Sequence, residues 1–176
     1  MKNDTDRSLT ILLPAGRLPL EIMVTAQTLA SRYCLGIYLS TMQNLRLVDI
    51  PEAVVAEVRE ELIKVGAEFK GPDTFPIPRV CIGKNYCKMG LIDTEALSRK
   101  ILEAFAERKK TKAKLKLAIA GCTLCCSGIK NADIGIMATR EGLAIFVGGK
   151  GGSSPRVGKR IAKMADERRV IEILTE

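Results

Sequence analysis

The stretch GCTLCCSGIKNADIGI, residues 121–136, decides how the second half of this chain folds. Just before it, residues 115–120 (LKLAIA) read as a short strand that delivers Gly121 and Cys122 at its C-terminal end. Its own tail runs into a second strand, residues 132–138, and residues 142–147 read as a third, with Glu141 and Gly142 as the turn. Cys122, Cys125 and Cys126 therefore sit on a loop between strands. Upstream, CIGKNYC at residues 81–87 holds Cys81 and Cys87 on another glycine-containing loop.

The chain has no histidine, so sulfur is its main metal-ligating chemistry. Two pairs, C-x5-C and C-x3-C, can close a tetrahedral or cuboidal site unaided, which points to a metal or an iron–sulfur cluster. Two simpler readings stand beside this one. A zinc site could use Cys122 and Cys125 as one arm, although zinc spacers usually run about two to four residues and C-x5-C is longer. Alternatively, the cysteines are inert packing residues.

A chain of 176 residues fits one domain or two small lobes, and at 47% apolar it has material for a core. No apolar run approaches the ~20 residues a bilayer span needs. The N-terminus, MKNDTDRS, is polar and mixed in charge, with no basic-then-apolar signal segment after it, so the expected compartment is the cytoplasm. Thiols stay reduced there, which favours ligands over disulfides. The net charge of +8 serves solubility, an anionic ligand, an acidic protein partner or nucleic acid. Three Tyr, four Phe and no Trp, none in series with the basic stretches, argue against nucleic acid.

Toward the N-terminus, residues 8–13 read as a strand ended by Pro14, Ala15 and Gly16. Residues 19–33 read as a helix, with Ile22, Met23, Ala26, Leu29, Ala30 and Tyr33 at helical spacing. Cys34 follows as a small core residue. A strand is expected over 35–40, and residues 45–48 are available to continue its pairing. Pro51 opens a second helix striped by Val54, Val58, Leu62 and Val65 and capped by Gly66. This β-α-β-α order over residues 1–70 suits a ferredoxin-like half-domain in an α+β protein. Residues 71–79, rich in proline, form the expected linker, and residues 80–176 the second domain. There, residues 93–108 read as an amphipathic helix through Leu97, Ile101 and Phe105, followed by a basic connector over 109–114. After the Gly-rich loop at 147–154 a short basic helix is expected. The tail over 169–174 suits strand or helix equally.

Taken together, the run 81–87, the run 121–136 and the Gly142…Gly152 segment resemble the iron–sulfur/siroheme domain of sulfite and nitrite reductases. Pro14–Leu18 and Leu39–Leu45 resemble the ferredoxin-like half of the same family. The resemblance spans roughly residues 9–165, in the family's order of lobes. It implies an α/β iron–sulfur domain after the ferredoxin-like half.

The resemblance also implies a site. Cys81, Cys87, Cys122 and Cys126 would hold a [4Fe–4S] cluster, with Cys126 also bridging to siroheme iron. Cys125 would stand outside the ligand set. Arg17, Thr41, Gln43, Lys84, Lys150 and Arg156 would face the carboxylate-rich cofactor, with Lys88 and Lys159 beside the matching loops. The Gly-rich loop would bring backbone N–H groups to an anionic edge, and it lacks the Gly-Lys-Ser/Thr ending of a phosphate-binding Walker loop.

The implied activity is reduction of sulfite or nitrite, a small anionic substrate, with electrons from a partner such as a ferredoxin or a flavoprotein. The full-length enzymes of the family carry two copies of this lobe pair. This chain carries one, with Met42 where the substrate-gripping copy has arginine. A homodimer would rebuild the second half. The alternative is a non-catalytic cluster-bearing module for electron transfer or cofactor handling.

Overall fold

The computed structural model describes residues 6–69, 71, 74–108, 111–112 and 114–175. The chain divides into two compact units, Met1–Pro72 and Asp73–Glu176.

The first unit runs β1 (Asp6–Leu12), α1 (Leu20–Tyr33), β2 (Gly36–Leu39), β3 (Leu45–Pro51), α2 (Val55–Lys64) and β4 (Glu68–Phe69). Its strands form one antiparallel sheet in the order β2-β3-β1-β4. This βαββαβ order is the ferredoxin-like one. Ile11, Leu45, Leu47 and Ile50 of the sheet are buried together with Ile22, Ala26 and Leu29 of α1 and Val58 and Leu62 of α2. The helical spacing of those residues makes one apolar face on each helix.

Two features of this unit differ from the sequence reading. Pro51 ends β3 and leads into a 3-10 turn, Glu52–Val54, ahead of α2. Its fixed φ of −57° and missing N–H suit a strand exit as well as a helix entry. Cys34 is exposed rather than buried. It ends α1 in the left-handed region, φ 55°, and passes the chain to buried Leu35, whose N–H reaches Ala30 O at 3.0 Å. Gly66 ends α2 in the same kind of cap, with Ala67 N–H on Leu62 O at 3.0 Å.

The second unit runs β5 (Arg79–Val80), α3 (Thr94–Ala104), β6 (Leu117–Ala120), β7 (Ile134–Thr139), β8 (Gly142–Val147), β9 (Lys159–Ala165) and α4 (Glu167–Thr175). The sheet order is β5-β6-β7-β8-β9. β5, β6 and β7 are parallel; β8 and β9 are antiparallel additions. β6 is buried along its whole length, as a strand covered on both faces must be. One face packs Ala118, Ala120, Met137, Ala144 and Phe146 around Ile129, which lies on the crossover from β6 to β7. The crossover passes so close that a Cβ on Gly135 would stand 2.3 Å from Ile129 O, so only glycine fits there.

The basic helix expected after Pro155 is a strand instead. Residues 159–165 pair antiparallel with β8 and form the sheet edge, where Lys159, Arg160 and Lys163 are exposed. Charged residues on an edge strand discourage pairing with another chain. The tail is helical: Asp166 accepts the Arg169 N–H at 2.8 Å, and Val170 and Leu174 are buried. Lys109, Lys110 and Ala113 of the expected basic connector, and Pro72 and Asp73 of the expected linker, lie outside the described residues.

Candidate iron–sulfur site

Parallel pairing of β5 with β6 places their C-terminal ends side by side, and a cysteine loop leaves each end. Arg79 is opposite Ala118 and Val80 opposite Ile119. The ladder extends one residue further, with Cys81 N–H on Ile119 O at 3.2 Å. Cys81 begins one loop; Gly121 and Cys122 begin the other. Carboxyl ends of adjacent parallel strands are where α/β sheets gather ligands.

The two loops are bonded to each other. Gly121 donates its N–H to the Cys81 sulfur at 3.0 Å, and its carbonyl accepts the Leu91 N–H at 2.8 Å. A Cβ on Gly121 would stand 3.3 Å from that sulfur. Thr94, buried at the start of α3, donates its hydroxyl to the Cys81 carbonyl at 2.5 Å. The 81–87 loop also closes on itself, with Cys87 N–H on Gly83 O at 2.9 Å and Lys84 N–H on Ile92 O at 2.8 Å.

Asp93 caps α3 by accepting the Ala96 N–H at 2.9 Å, and it accepts the Asn85 side-chain amide at 2.7 Å. Those two donors hold its carboxyl below the usual carboxylate range. Asn85 lies between Cys81 and Cys87, so the helix cap and the cysteine loop are one bonded unit.

On the other loop, Cys125 N–H meets Cys122 O at 3.3 Å and Gly128 N–H meets Cys125 O at 2.8 Å. Cys125, in the left-handed region at φ 61°, packs against the apolar cluster around Ile129. Cys126 is exposed, Cys122 is buried, and Cys81 and Cys87 are half-buried. Ser127 is buried and donates to Ile119 O at 2.7 Å, tying the loop to β6.

Two groups of sequence-derived residues fall together within their own units. Lys150 and Arg156 face each other across the Gly-rich loop, each N–H on the other's carbonyl at 2.8 Å. Arg156 Nε also donates to Gly148 O at 3.1 Å. That loop rests on the crossover after Cys126: Gly158 N–H meets Lys130 O at 2.7 Å, and a Cβ on Gly149 would stand 2.4 Å from the Lys130 and Ala132 carbonyls. In the first unit, Arg17 follows the turn at Pro14–Gly16, and Thr41 and Gln43 sit in the β2–β3 hairpin. Leu13 N–H meets Asn44 Oδ1 at 3.2 Å, and a Cβ on Gly16 would stand 3.4 Å from the Gln43 side chain, so these two loops adjoin. Lys84, Lys88, Lys150, Arg156 and Lys159 are all exposed.

The sequence reading missed Arg79. It closes the proline-rich stretch read as a linker, yet it is the first residue of β5. It stands two residues before Cys81, on the same side of the strand. Its Nε is sealed from solvent without a hydrogen-bond partner. Strand alternation across Arg79, Val80 and Cys81 was the signal that could have found it.

All six cysteines are free thiols. Among the described residues, no three Cys, Asp or Glu side chains converge on one point, so the thiols would have to turn inward to close a ligand set. The donor chemistry fits a cluster. Four cysteines lie on two bonded loops, a backbone N–H is already aimed at one sulfur, and a sealed guanidinium nitrogen lacks an acceptor. No helix among the described residues is long and apolar enough to cross a membrane.

Comparison with known proteins agrees in both units. The family described as the nitrite/sulfite reductase ferredoxin-like half domain matches residues 1–65, and the nitrite and sulphite reductase 4Fe-4S domain matches residues 77–176. An assimilatory-type sulfite reductase of Nitratidesulfovibrio vulgaris is 28% identical over 85% of this chain and 68% of its own length. The NADH nitrite reductase large subunit of Escherichia coli is 27% identical over 92% of this chain, which spans 19% of that protein. The chain likewise spans 15% of an NAD(P)H nitrite reductase of Emericella nidulans, at 26% identity. In fold it matches the NirA protein of Mycobacterium tuberculosis with a TM-score of 0.78, at 18% identity, over 95% of this chain and 34% of that one. The α+β fold is that of this family, whose cofactors are a [4Fe–4S] cluster and siroheme. With both of its units matched in the family's order, this chain belongs to the nitrite and sulfite reductase family.

Proposed function

We propose that this chain acts as an oxidoreductase that reduces sulfite or nitrite, using a [4Fe–4S] cluster and siroheme and electrons from a partner protein. The observation that carries the reading is the bonded pair of cysteine loops at the ends of β5 and β6. Cys81, Cys87, Cys122 and Cys126 would hold the cluster within residues 80–176, with Cys126, the exposed thiol, shared with the siroheme iron. When bound, these groups supply stepwise electron delivery to an oxyanion at the haem iron.

The chain's own residues orient and compensate. The Gly121 N–H, already aimed at the Cys81 sulfur, would stabilise that sulfur as a ligand, as hydrogen bonds to cluster sulfurs do. Lys84, Lys150 and Arg156, with Arg17, Thr41 and Gln43 of the first unit, would offer cations and donors to the siroheme carboxylates. The positive balance of the chain suits an acidic electron donor such as a ferredoxin. The likeness to an assimilatory-type sulfite reductase over 68% of that protein's length supports the reading. A homodimer would supply a second copy of each unit.

A second reading, an electron-transfer or cofactor-handling module, is favoured by Met42, an apolar side chain where a substrate-gripping arginine is expected. Two measurements separate the readings. Anaerobically purified protein should show a strong Soret band with a long-wavelength chlorin-type band, and more iron than labile sulfide. The same holoprotein, given a chemical electron donor, should consume sulfite or nitrite. Holoprotein with both chromophores that leaves both anions untouched favours the module. A colourless protein with stoichiometric zinc rejects both readings.

A further inference from the structure

Arg79 sits beneath the loop that carries Cys126. Gly128, two residues after that cysteine, is in the left-handed region at φ 66°, and a Cβ there would stand 2.9 Å from the Arg79 Nη2 and 3.8 Å from its Cζ. The guanidinium thus occupies the space a side chain at 128 would fill. Register pairs Arg79 with Ala118, which belongs to the apolar cluster under the crossover, so the side chain rises on the crossover side of the sheet. The residue is half-buried, and its Nε is fully sealed with no hydrogen-bond partner among the described residues.

A guanidinium stays charged at any relevant pH, and a guanidinium N–H sealed from water without an acceptor is costly to hold. Such a group makes physical sense beside an anion. The two cysteine loops that flank it become anionic when their thiols deprotonate as ligands, and a cluster held by four thiolates is a net anion in either oxidation state. The basic residues picked out from sequence lie exposed, where solvent screens them. Arg79 is the cation held within the framework that carries Cys81 and Cys126.

We propose that Arg79 is the fixed countercharge of the thiolate site: it offsets the charge of the ligated cysteines, raises the reduction potential of the cluster and slows its loss. This rests on the reading that the four cysteines hold a cluster. Net charge near a cluster sets its potential, the reduced form being the more negative, so a fixed cation favours reduction.

The test compares full-length wild type, Arg79→Gln and Arg79→Lys, each purified anaerobically with its cluster. The readouts are the cluster midpoint potential by electron paramagnetic resonance, the rate of iron loss to a chelator, and the thermal midpoint of the cluster-free chain. Arg79→Gln should shift the potential negative and lose iron several-fold faster, while its cluster-free form melts no lower than wild type, because a sealed N–H without an acceptor has been removed. Arg79→Lys should fall between the two. An unchanged potential and iron-loss rate in Arg79→Gln overturns the proposal. So does a cluster-free Arg79→Gln chain that melts well below wild type or fails to fold, since Arg79 would then be a structural residue. A wild-type protein with no iron–sulfide chromophore overturns this proposal together with the cluster reading.

Discussion

The backbone N–H of Gly121 points at the sulfur of Cys81, 3.0 Å away, across the gap between two parallel strand ends. One hydrogen bond therefore couples the two cysteine loops before any ligand is considered. It also fixes the residue type at 121, because a Cβ there would meet the Cys81 sulfur at 3.3 Å, Gly83 Cα at 3.3 Å and Thr94 Cγ2 at 3.2 Å.

Gly121→Ala should accordingly separate the loops. Three neighbours must each give by a few tenths of an ångström, and overpacking of this kind costs about 1–3 kcal/mol. The expected outcome is a lower urea midpoint together with reduced iron and sulfide per chain. Wild-type iron content and stability in the alanine variant would show that the loops do not depend on this contact.

Asp93 carries a pH dependence of known sign. Its carboxyl is held below the ordinary range by the Ala96 N–H first and the Asn85 amide second. A depressed folded-state pKa contributes stability that is present above the unfolded value, about 3.9 for Asp, and is lost as pH falls through the folded value. Asp93→Ala should cost about 1 kcal/mol at neutral pH as a lost helix cap. The gap between wild type and variant in urea unfolding should close as the pH drops below about 4. Asp93→Asn, which keeps an accepting oxygen for Ala96, should lose only a few tenths of a kcal/mol.

Much of this fold was legible because its signals are local. Leu97 and Ile101 repeat at helical spacing and both are fully buried in α3. Gly66 sits one residue past the end of α2's apolar stripe, in a cap that favours glycine. What escaped was set by partners distant in sequence. β9 has only Ala165 buried, so its sequence carries no period-2 pattern; it is a strand because β8 has an open edge. Arg79 looked like the end of a linker because the pairing that makes it a strand residue lies with Ala118, beyond the whole of α3.

Cysteine is a residue type that is usually buried, but the position of Cys34 is decided by backbone geometry. It holds the left-handed cap of α1 at φ 55° with its side chain exposed. A side chain in that conformation costs roughly 1–2 kcal/mol, and glycine escapes the cost while giving back part of it in unfolded-chain entropy. Cys34→Gly should therefore raise stability by about 1 kcal/mol in denaturant unfolding. Iron content should not change. A destabilised variant would mean that the thiol makes a contribution that its exposure conceals.

The neighbouring cysteines 125 and 126 offer the sharpest test of the ligand set, since sequence spacing alone allows either to serve. Their surroundings differ. Cys125 is turned by its positive φ into the apolar cluster around Ile129, whereas Cys126 is exposed on the outer side of the same loop. Cys125 packs against that cluster, where its thiol serves as a small apolar side chain. Cys125→Ala should keep wild-type iron, sulfide and absorption, with a stability loss of about 1 kcal/mol from the lost packing. Cys126→Ala should lose the cluster absorption and any Soret band together, because the same sulfur is proposed to serve both groups. If Cys126→Ala keeps both bands while Cys125→Ala loses them, the ligand spacing is two residues rather than three, and the loop must turn over when it binds.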